Sequence, residues 1–178
     1  MRVTVFGSSI PKPGDHDYQA GLALGEMLGR EKHTVLTGGY MGVMEAVSRG
    51  TAEAGGYVIG VTCDEIETWR PGKANRWVQK ELRFRTLNER ILCLIKECDA
   101  LFALPGGVGT LAEISVIWTH MQTGAVKAKP LILIGPGWRT TFNQLYASMD
   151  QYILDASREL VSFAPNVKAG FEKLKEMV

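Results

Sequence analysis

A single carboxylate, Glu113, lies just beyond a glycine-rich turn that follows an apolar stretch of the chain. The turn is part of FALPGGVGTLAE, residues 102–113, and contains Gly106, Gly107, Gly109 and Thr110. A glycine-rich loop that opens a helix leaves backbone N–H groups free at the positive end of the helix dipole, and such an arrangement binds phosphate. The segment therefore indicates an anion-binding loop with a carboxylate close enough to act on the bound molecule.

The same residues permit a purely structural interpretation. Thr110 and Glu113 have the spacing of a capping box, in which Thr110 caps a helix and the Glu113 side chain accepts a hydrogen bond from the Thr110 N–H. The motif alone leaves both interpretations open.

Positive charge is concentrated in WRPGKANRWVQKELRFRTLNER, residues 69–90. This segment holds seven basic and two acidic residues, a net charge of +5 in a chain of net charge +1. We expect most of these side chains to lie in a solvated loop and a helix start. Because the domain as a whole is not basic, a small phosphorylated ligand is favoured over nucleic acid.

Arg90 differs from the other basic residues of this segment. It adjoins an apolar helical stripe that includes Ile91, Leu94 and Ile95. At the edge of a buried helix face a guanidinium requires an anion or a carbonyl as its partner. Arg90 is therefore a candidate functional residue.

Several well-known sites lack support. The P-loop sequence G-x-x-x-x-G-K-[ST] is absent, and GVGTLA (107–112) lacks the acid about 20 residues further on that a dinucleotide site requires. No G-x-S-x-G elbow is present, and the three histidines are isolated. The three cysteines form no CxxC pair, so we expect reduced core thiols and no metal.

Apolar segments alternate with helical patterns along the whole chain. The predicted buried strands are 3–8, 34–39, 57–63, 100–106 and 130–137, with a sixth candidate at 160–163. The intervening stripes are Tyr18/Leu22/Gly25/Leu28, Ile91/Leu94/Ile95/Cys98, Ile114/Ile117/Trp118/Met121, Phe142/Leu145/Tyr146/Met149 and Val167/Phe171/Leu174. This alternation predicts an α/β fold, a doubly wound, Rossmann-like parallel sheet with helices on both faces, in one domain spanning residues 1–178.

Glycine clusters follow three of these predicted strands. In doubly wound sheets, ligands bind beyond the carboxyl ends of the strands, where such clusters come together. The candidate substrate-binding residues are Ser8, Ser9, Gly38, Gly39, Gly42, Gly106, Gly107, Val108, Gly109 and Thr110.

The chain resembles the LONELY GUY (LOG) family, long labelled "possible lysine decarboxylases", over nearly its whole length. PGGVGTLAE (105–113) matches the family signature P-G-G-x-G-T-x-x-E, and VTVFGSS, TGGYMGVMEAV, GGYVIGV and IWTHMQTGAVKAKPLILI are similar to further family segments. The family's Met-His-x-Arg-Lys segment corresponds to residues 87–91, where only Arg90 is retained. Cys63 stands where the family has a proline after the third strand.

The resemblance implies an enzyme that hydrolyses the N-glycosidic bond of a nucleoside 5′-monophosphate, such as a cytokinin riboside monophosphate or an AMP-like nucleotide. Arg90 and Glu113 would be catalytic, the signature loop would bind the phosphate, and no metal or other cofactor would take part. It also implies a homodimer, for which Trp118 and Met121 are candidate interface residues. No lysine lies in the three glycine loops, so the decarboxylase label is disfavoured.

One alternative to this function remains open. A non-catalytic carrier or sensor of a phosphorylated nucleotide or molybdenum-cofactor-like pterin could share the fold, although it would not need Glu113. We expect a cytoplasmic protein that does not bind membranes, since no apolar run approaches the ~18 residues of a membrane span and no signal peptide is recognisable.

Overall fold

The computed structural model of the protein describes residues 1–70 and 72–178. Its centre is a seven-stranded sheet of order β4-β3-β2-β1-β5-β6-β7, in which every neighbouring pair is parallel. The strands are β1 (Arg2–Phe6), β2 (Thr34–Thr37), β3 (Tyr57–Cys63), β4 (Lys80–Phe84), β5 (Ala100–Ala103), β6 (Leu131–Ile134) and β7 (Ser162–Ala164). The order reverses direction at β1, between β2 and β5.

Helices connect these strands. They are α1 (His16–Arg30), α2 (Val43–Glu53), α3 (Asp64–Trp69), α4 (Leu87–Lys96), α5 (Val108–Gln122), α6 (Pro136–Ser148), α7 (Asp155–Arg158) and α8 (Val167–Met177), with a short 3₁₀ helix at Asp150–Tyr152. None of the helices in the described residues is long and apolar enough to cross a membrane.

Two apolar cores cover the two faces of the sheet, which confirms the predicted doubly wound α/β fold. Residues from α1, α2 and α8 form one core, and residues from α4, α5 and α6 form the other. Neighbouring residues of a strand point to opposite faces, so Leu101 belongs to one core and Phe102 to the other. Because helices cover both faces of the sheet, the strands are continuous apolar segments in the sequence.

Strand β4 was missed in the sequence, where its residues were expected in a solvated loop and a helix start. It forms the edge of the sheet, and its charged residues alternate with the half-buried Leu82 and Phe84. Arg83 pairs with Asp64 at 2.7 Å and with Glu67 at 2.7 Å. Charged side chains are common on edge strands, where they discourage pairing with other chains, and here they masked the strand pattern.

The predicted stripe on α6 is only partly correct. Phe142 is buried, and the Tyr146 ring packs edge-on against it with centroids 5.8 Å apart, whereas Leu145 and Met149 are exposed. Because α6 lies over β6 and β7 at the border of the sheet, part of its apolar face finds no neighbour within the described chain.

The two candidate dimer residues on α5 pack within the subunit. The Trp118 ring packs at a tilt against Phe142, with ring centroids 5.4 Å apart, and its Nε1–H donates to the Ser157 carbonyl at 2.7 Å. Met121 is buried in the same core. Both residues therefore have an intramolecular role, and the homodimer stays a prediction.

Candidate active site

A cleft of about 280 Å³ opens at the carboxyl ends of the strands. It is lined by Val5, Phe6, Gly7, Ser8, Ser9, Ile10, Gly38, Tyr40, Met44, Ile66, Trp69, Arg70, Arg90, Gly107, Val108, Gly109, Thr110 and Glu113. The loops after β5, β1, β2 and β3 all contribute, so the cleft spans the reversal of strand order where such sheets bind ligands.

The amino terminus of α5 forms one wall of the cleft. The helix begins at Val108, and no side chain of the described residues caps it. A Cβ atom added at Gly107 or Gly109 would meet nothing within 4 Å, so this backbone faces open space. The first N–H groups of a helix have no partner inside the helix, and here they are accessible to an anion.

Gly106 and Thr110 pack against each other behind this wall. A Cβ atom at Gly106 would overlap Oγ1 of Thr110, and Thr110 is buried although Gly106 itself is exposed. Gly106 does not line the cleft but borders a neighbouring depression with Pro105 and Gly107. Its contribution is the tight turn that directs the loop into α5.

The capping-box interpretation of Thr110 and Glu113 was wrong. Helix α5 starts two residues before Thr110, so Thr110 lies within the first turn and cannot serve as the N-cap. The Glu113 carboxylate instead contacts the Arg90 guanidinium. A capping box does form at the start of α4, where Thr86 and Glu89 exchange hydrogen bonds and fix the helix that carries Arg90.

The second glycine cluster, after β2, has a different role from the first. The N–H of Val43 at the start of α2 donates to the Ser8 carbonyl at 2.8 Å, so this helix terminus is closed by the protein itself. Gly39 and Gly42 have positive φ angles of 79° and 73°, which favour glycine, and neither lines the cleft. Their predicted substrate contact is therefore not supported, and they shape the turn that supports Ser8 and Ser9.

Gly38 lines the cleft and makes room for Arg90. A Cβ atom at Gly38 would overlap Nη2 of Arg90 and would approach Sδ of Met44 to 2.5 Å. The glycine is required here for space, because the guanidinium lies directly over the backbone.

Arg90 is held deep in the cleft and is only 4% exposed. Its Nε donates to the Val61 carbonyl at 2.7 Å, and its Nη1 lies 3.4 Å from Oε1 of Glu113. The guanidinium carbon lies 5.8 Å from the centre of the Tyr40 ring. These partners are the carbonyl and the anion that the sequence position of Arg90 required.

Glu113 is also nearly buried, at 8% exposure. Burial raises the pKa of its carboxyl from 4.5 to about 7, although the charge and hydrogen bonding of Arg90 act in the opposite direction. A carboxyl group with a pKa near neutral pH exchanges protons readily, as general acid–base catalysis requires. Within the described residues, no group of histidine, cysteine and carboxylate side chains is arranged to hold a metal ion.

Ser8 and Ser9 occupy the turn between the glycine loops, as predicted. The Ser8 N–H donates to the Pro105 carbonyl at 3.1 Å, which ties this turn to the β5–α5 loop. Oγ of Ser9 accepts a hydrogen bond from Nη1 of Arg70 at 2.8 Å. Both serine residues line the cleft, together with Val108, whose side chain is exposed at the entrance.

The remaining cleft residues were not identified as candidates in the sequence. Tyr40 and Met44 come from the β2–α2 region, and Ile66, Trp69 and Arg70 come from α3 and the residue after it. Tyr40 accepts a hydrogen bond from the Cys63 N–H at 3.0 Å, which joins the two strand ends. The available signals were the tyrosine inside the second glycine cluster and the basic segment that contains Arg70, but neither shows which side chain turns inward.

Comparison with known proteins identifies the family. The family model described as "Possible lysine decarboxylase" matches residues 44–174. Cytokinin riboside 5′-monophosphate phosphoribohydrolase LOG3 of Arabidopsis thaliana is 32% identical over 98% of this chain and 82% of its own length. The chain belongs to the LONELY GUY family. The resemblance seen in the sequence is thereby confirmed.

Further relatives of this LONELY GUY chain carry names of the same class. Probable cytokinin riboside 5′-monophosphate phosphoribohydrolase LOGL9 of Oryza sativa subsp. japonica is 33% identical over 99% of this chain and 78% of its own length. The predicted enzyme class, a phosphoribohydrolase and not a lysine decarboxylase, is confirmed at the level of the family.

Solved structures share the fold. The molybdenum cofactor binding protein of Rippkaea orientalis has a TM-score of 0.76 at 24% identity, covering 98% of this chain and 95% of its own. The molybdenum cofactor carrier protein of Chlamydomonas reinhardtii has a TM-score of 0.73 at 22% identity, covering 99% and 96%. At these identities the likeness supports the architecture alone.

Proposed function

We propose that this LONELY GUY protein hydrolyses the N-glycosidic bond of a nucleoside 5′-monophosphate and releases the free base and ribose 5-phosphate. Candidate substrates are AMP-like nucleotides and the cytokinin riboside 5′-monophosphates named for its relatives. The single observation that carries the proposal is the buried Arg90–Glu113 pair, which lines the same cleft as the uncapped amino terminus of α5.

The phosphate would bind at the amino terminus of α5. The free N–H groups around Gly107, Val108 and Gly109 provide hydrogen bonds and a favourable dipole for an anion. The helix also carries Glu113 one turn further on, so a bound phosphate brings the attached ribose next to the carboxylate. Phosphate binding would in this way orient the glycosidic bond for reaction.

Glu113 is suited to activate the attacking water. Glycosidic cleavage passes through a state with positive charge on the sugar, which a carboxylate stabilises. Glu113 takes a proton from water, the oxygen bonds to C1′ of the ribose, and the bond from C1′ to the base nitrogen breaks. The base leaves with the electron pair and acquires a proton, which a Glu113 carboxyl group with a pKa of about 7 can supply.

Arg90 would hold the carboxylate in place and balance negative charge. Its Nε is already used by the Val61 carbonyl, so the guanidinium has one fixed orientation in the cleft. The Nη1 atom contacts Glu113, and the remaining N–H groups lie at the cleft surface near Gly38. A positioned cation in a buried site neutralises charge on the bound phosphate or stabilises the negative charge that develops on the departing base.

The direct test is a comparison of AMP with adenosine as substrates. If the α5 terminus supplies binding energy for phosphate, free adenine is released from AMP and far more slowly from adenosine. Chromatography of the released base measures both rates. In a separate assay, we expect no carbon dioxide from lysine, with or without pyridoxal phosphate. Equal rates on AMP and adenosine would contradict the phosphate site.

The carrier alternative predicts binding without turnover. A carrier needs the helix terminus but has no use for a buried carboxylate whose ionisation is unfavourable, so Glu113 favours the enzyme. If calorimetry shows that AMP binds while no free base is released over hours from any of several nucleotides, that result would instead support a carrier.

A further inference from the structure

Arg70 is a second cation in the cleft, and its role differs from that of Arg90. It follows α3, is half-buried, and its guanidinium carbon lies 6.0 Å from the centre of the Tyr40 ring and 5.6 Å from that of Trp69. Its one side-chain hydrogen bond in the described part of the chain goes to Ser9, and no carboxylate of residues 1–70 and 72–178 forms an ion pair with it. Its positive charge therefore remains available to a ligand.

Arg70 also borders a second cavity of about 310 Å³. The residues that line this basic pocket are Tyr40, Met41, Glu45, Arg70, Gly72, Lys73, Asn75 and Arg76. Three of them are basic and one, Glu45, is acidic, so the pocket carries net positive charge. Tyr40 and Arg70 are shared with the main cleft, which makes the two cavities neighbours across these side chains.

The wall of the basic pocket is fixed to the core of the protein. Nδ2 of Asn75 donates to the carbonyls of Gly39 and Tyr40 at 3.0 and 2.9 Å, and the Asn75 N–H donates to the Gly39 carbonyl at 2.7 Å. The Arg76 guanidinium carbon lies 4.8 Å from the centre of the Trp77 ring. Lys73 and Arg76 therefore lie within two residues of an anchored side chain.

Strand order places this pocket at the far end of the substrate. The anion-binding terminus of α5 follows β5, whereas the pocket is built from segments that follow β2 and β3. Three strand spacings separate β5 from β3, roughly 14 Å at about 4.8 Å each. A nucleotide with its phosphate at α5 would direct its base over Tyr40 and Met44 toward the basic pocket. The Arg70 guanidinium, which reaches Ser9 in the turn after β1, lies between the two cavities.

We infer that Arg70 and the basic pocket form a subsite for an anionic substituent on the base of the substrate. The inference rests on the proposed function and narrows its substrate class to nucleoside 5′-monophosphates whose base carries a carboxylate or comparable anion. An apolar prenyl group would cover these cations without giving them a partner, and removing a charge from water without a partner is unfavourable. A carboxylate would form charge-assisted hydrogen bonds with them.

The test uses three nucleotides that differ only at the exocyclic nitrogen of adenine: AMP, its N6-isopentenyl derivative and its N6-(1,2-dicarboxyethyl) derivative. We expect kcat/KM for the dicarboxylated nucleotide to exceed that for AMP by about tenfold or more, the scale of one charge-assisted hydrogen bond. In Arg70→Met, which keeps an unbranched apolar side chain and removes the charge, this ratio should fall toward one. Lys80→Met is the matched control. Lys80 is an exposed residue at the amino end of β4, away from the cleft at the carboxyl ends of the strands, so its replacement should leave the ratio unchanged.

Dissociation constants from calorimetry separate this inference from the proposed hydrolysis. If the protein cleaves no nucleotide, the proposed function fails, but tighter binding of the dicarboxylated nucleotide that depends on Arg70 would still support the subsite. If AMP is cleaved and the isopentenyl derivative is preferred to the dicarboxylated one, the anionic subsite is wrong and the hydrolase stands. Equal affinities for AMP and the dicarboxylated nucleotide would also overturn the subsite.

Discussion

Replacing Glu113 by glutamine should make the folded protein more stable at alkaline pH while abolishing most of its activity. Glutamine keeps the size of the side chain and resembles the protonated carboxyl group, but it cannot ionise. The wild-type carboxyl has its pKa raised to about 7 in the folded state because it is buried. The carboxylate that the reaction needs is therefore a form that folding disfavours.

The magnitude follows from the two pKa values. Below pH 4.5 the folded and unfolded chains both keep the Glu113 proton, and the two proteins have similar stability. Between pH 4.5 and about 7 the unfolded chain releases the proton and the folded chain retains it, so the wild type loses stability as pH rises. Above pH 7 the full difference is present, about 3 kcal/mol in favour of Glu113→Gln, since one pKa unit corresponds to about 1.4 kcal/mol.

Urea unfolding of both proteins at pH 5 and pH 8 measures this difference, and release of adenine from AMP measures activity. We expect the advantage of Glu113→Gln to rise from about 1 kcal/mol or less to about 3 kcal/mol, and its turnover to fall by about 10² or more, while AMP still binds.

Glu89→Gln is the matched control, because hydrogen bonds from Thr86 lower the pKa of this exposed carboxyl. The stability that its charge contributes is present above the unfolded pKa and lost as pH falls, so its pH dependence has the opposite sign. If the stability difference for Glu113→Gln does not grow with pH, burial does not raise the pKa of the Glu113 carboxyl and this reasoning is refuted. Near-normal turnover would refute its catalytic role.

Further predictions concern two glycines of the cleft, the pH dependence of the rate and the oligomeric state. Gly38→Ala should lower kcat and destabilise the fold by about 1–3 kcal/mol, because the added methyl overlaps the Arg90 guanidinium. In Gly107→Ala the added methyl has open space, so the protein should still fold, but AMP binding should weaken. The wild-type rate should rise with pH and level off above about 7 as Glu113 ionises, and an acid limb near pH 4.5 would contradict the raised pKa. Light scattering at micromolar concentration should give twice the chain mass of 19.6 kDa, and a monomer mass would contradict the predicted homodimer.

Local patterns in the sequence were sufficient for six of the seven strands, the two covered faces of the sheet and the main catalytic candidates. Buried parallel strands appear in the sequence as apolar segments because both faces of the sheet are covered. The glycine-rich turn before Glu113 predicted an open helix terminus. The signature PGGVGTLAE also identified the family. These features depend on residues close together in the chain, so the order of residues alone determines them.

Tertiary structure decided how those residues are used. The spacing of Thr110 and Glu113 fits a capping box, but the helix starts earlier and the carboxylate meets Arg90, a residue 23 positions away. The shared glycine pattern did not distinguish Gly38, which makes room for a guanidinium, from Gly42, which supports a turn. Nor did the basic segment show that Arg70 turns into the cleft. Side-chain partners, burial and the raised pKa of Glu113 arise from contacts between distant segments, and a sequence pattern specifies neighbours along the chain but not across the sheet.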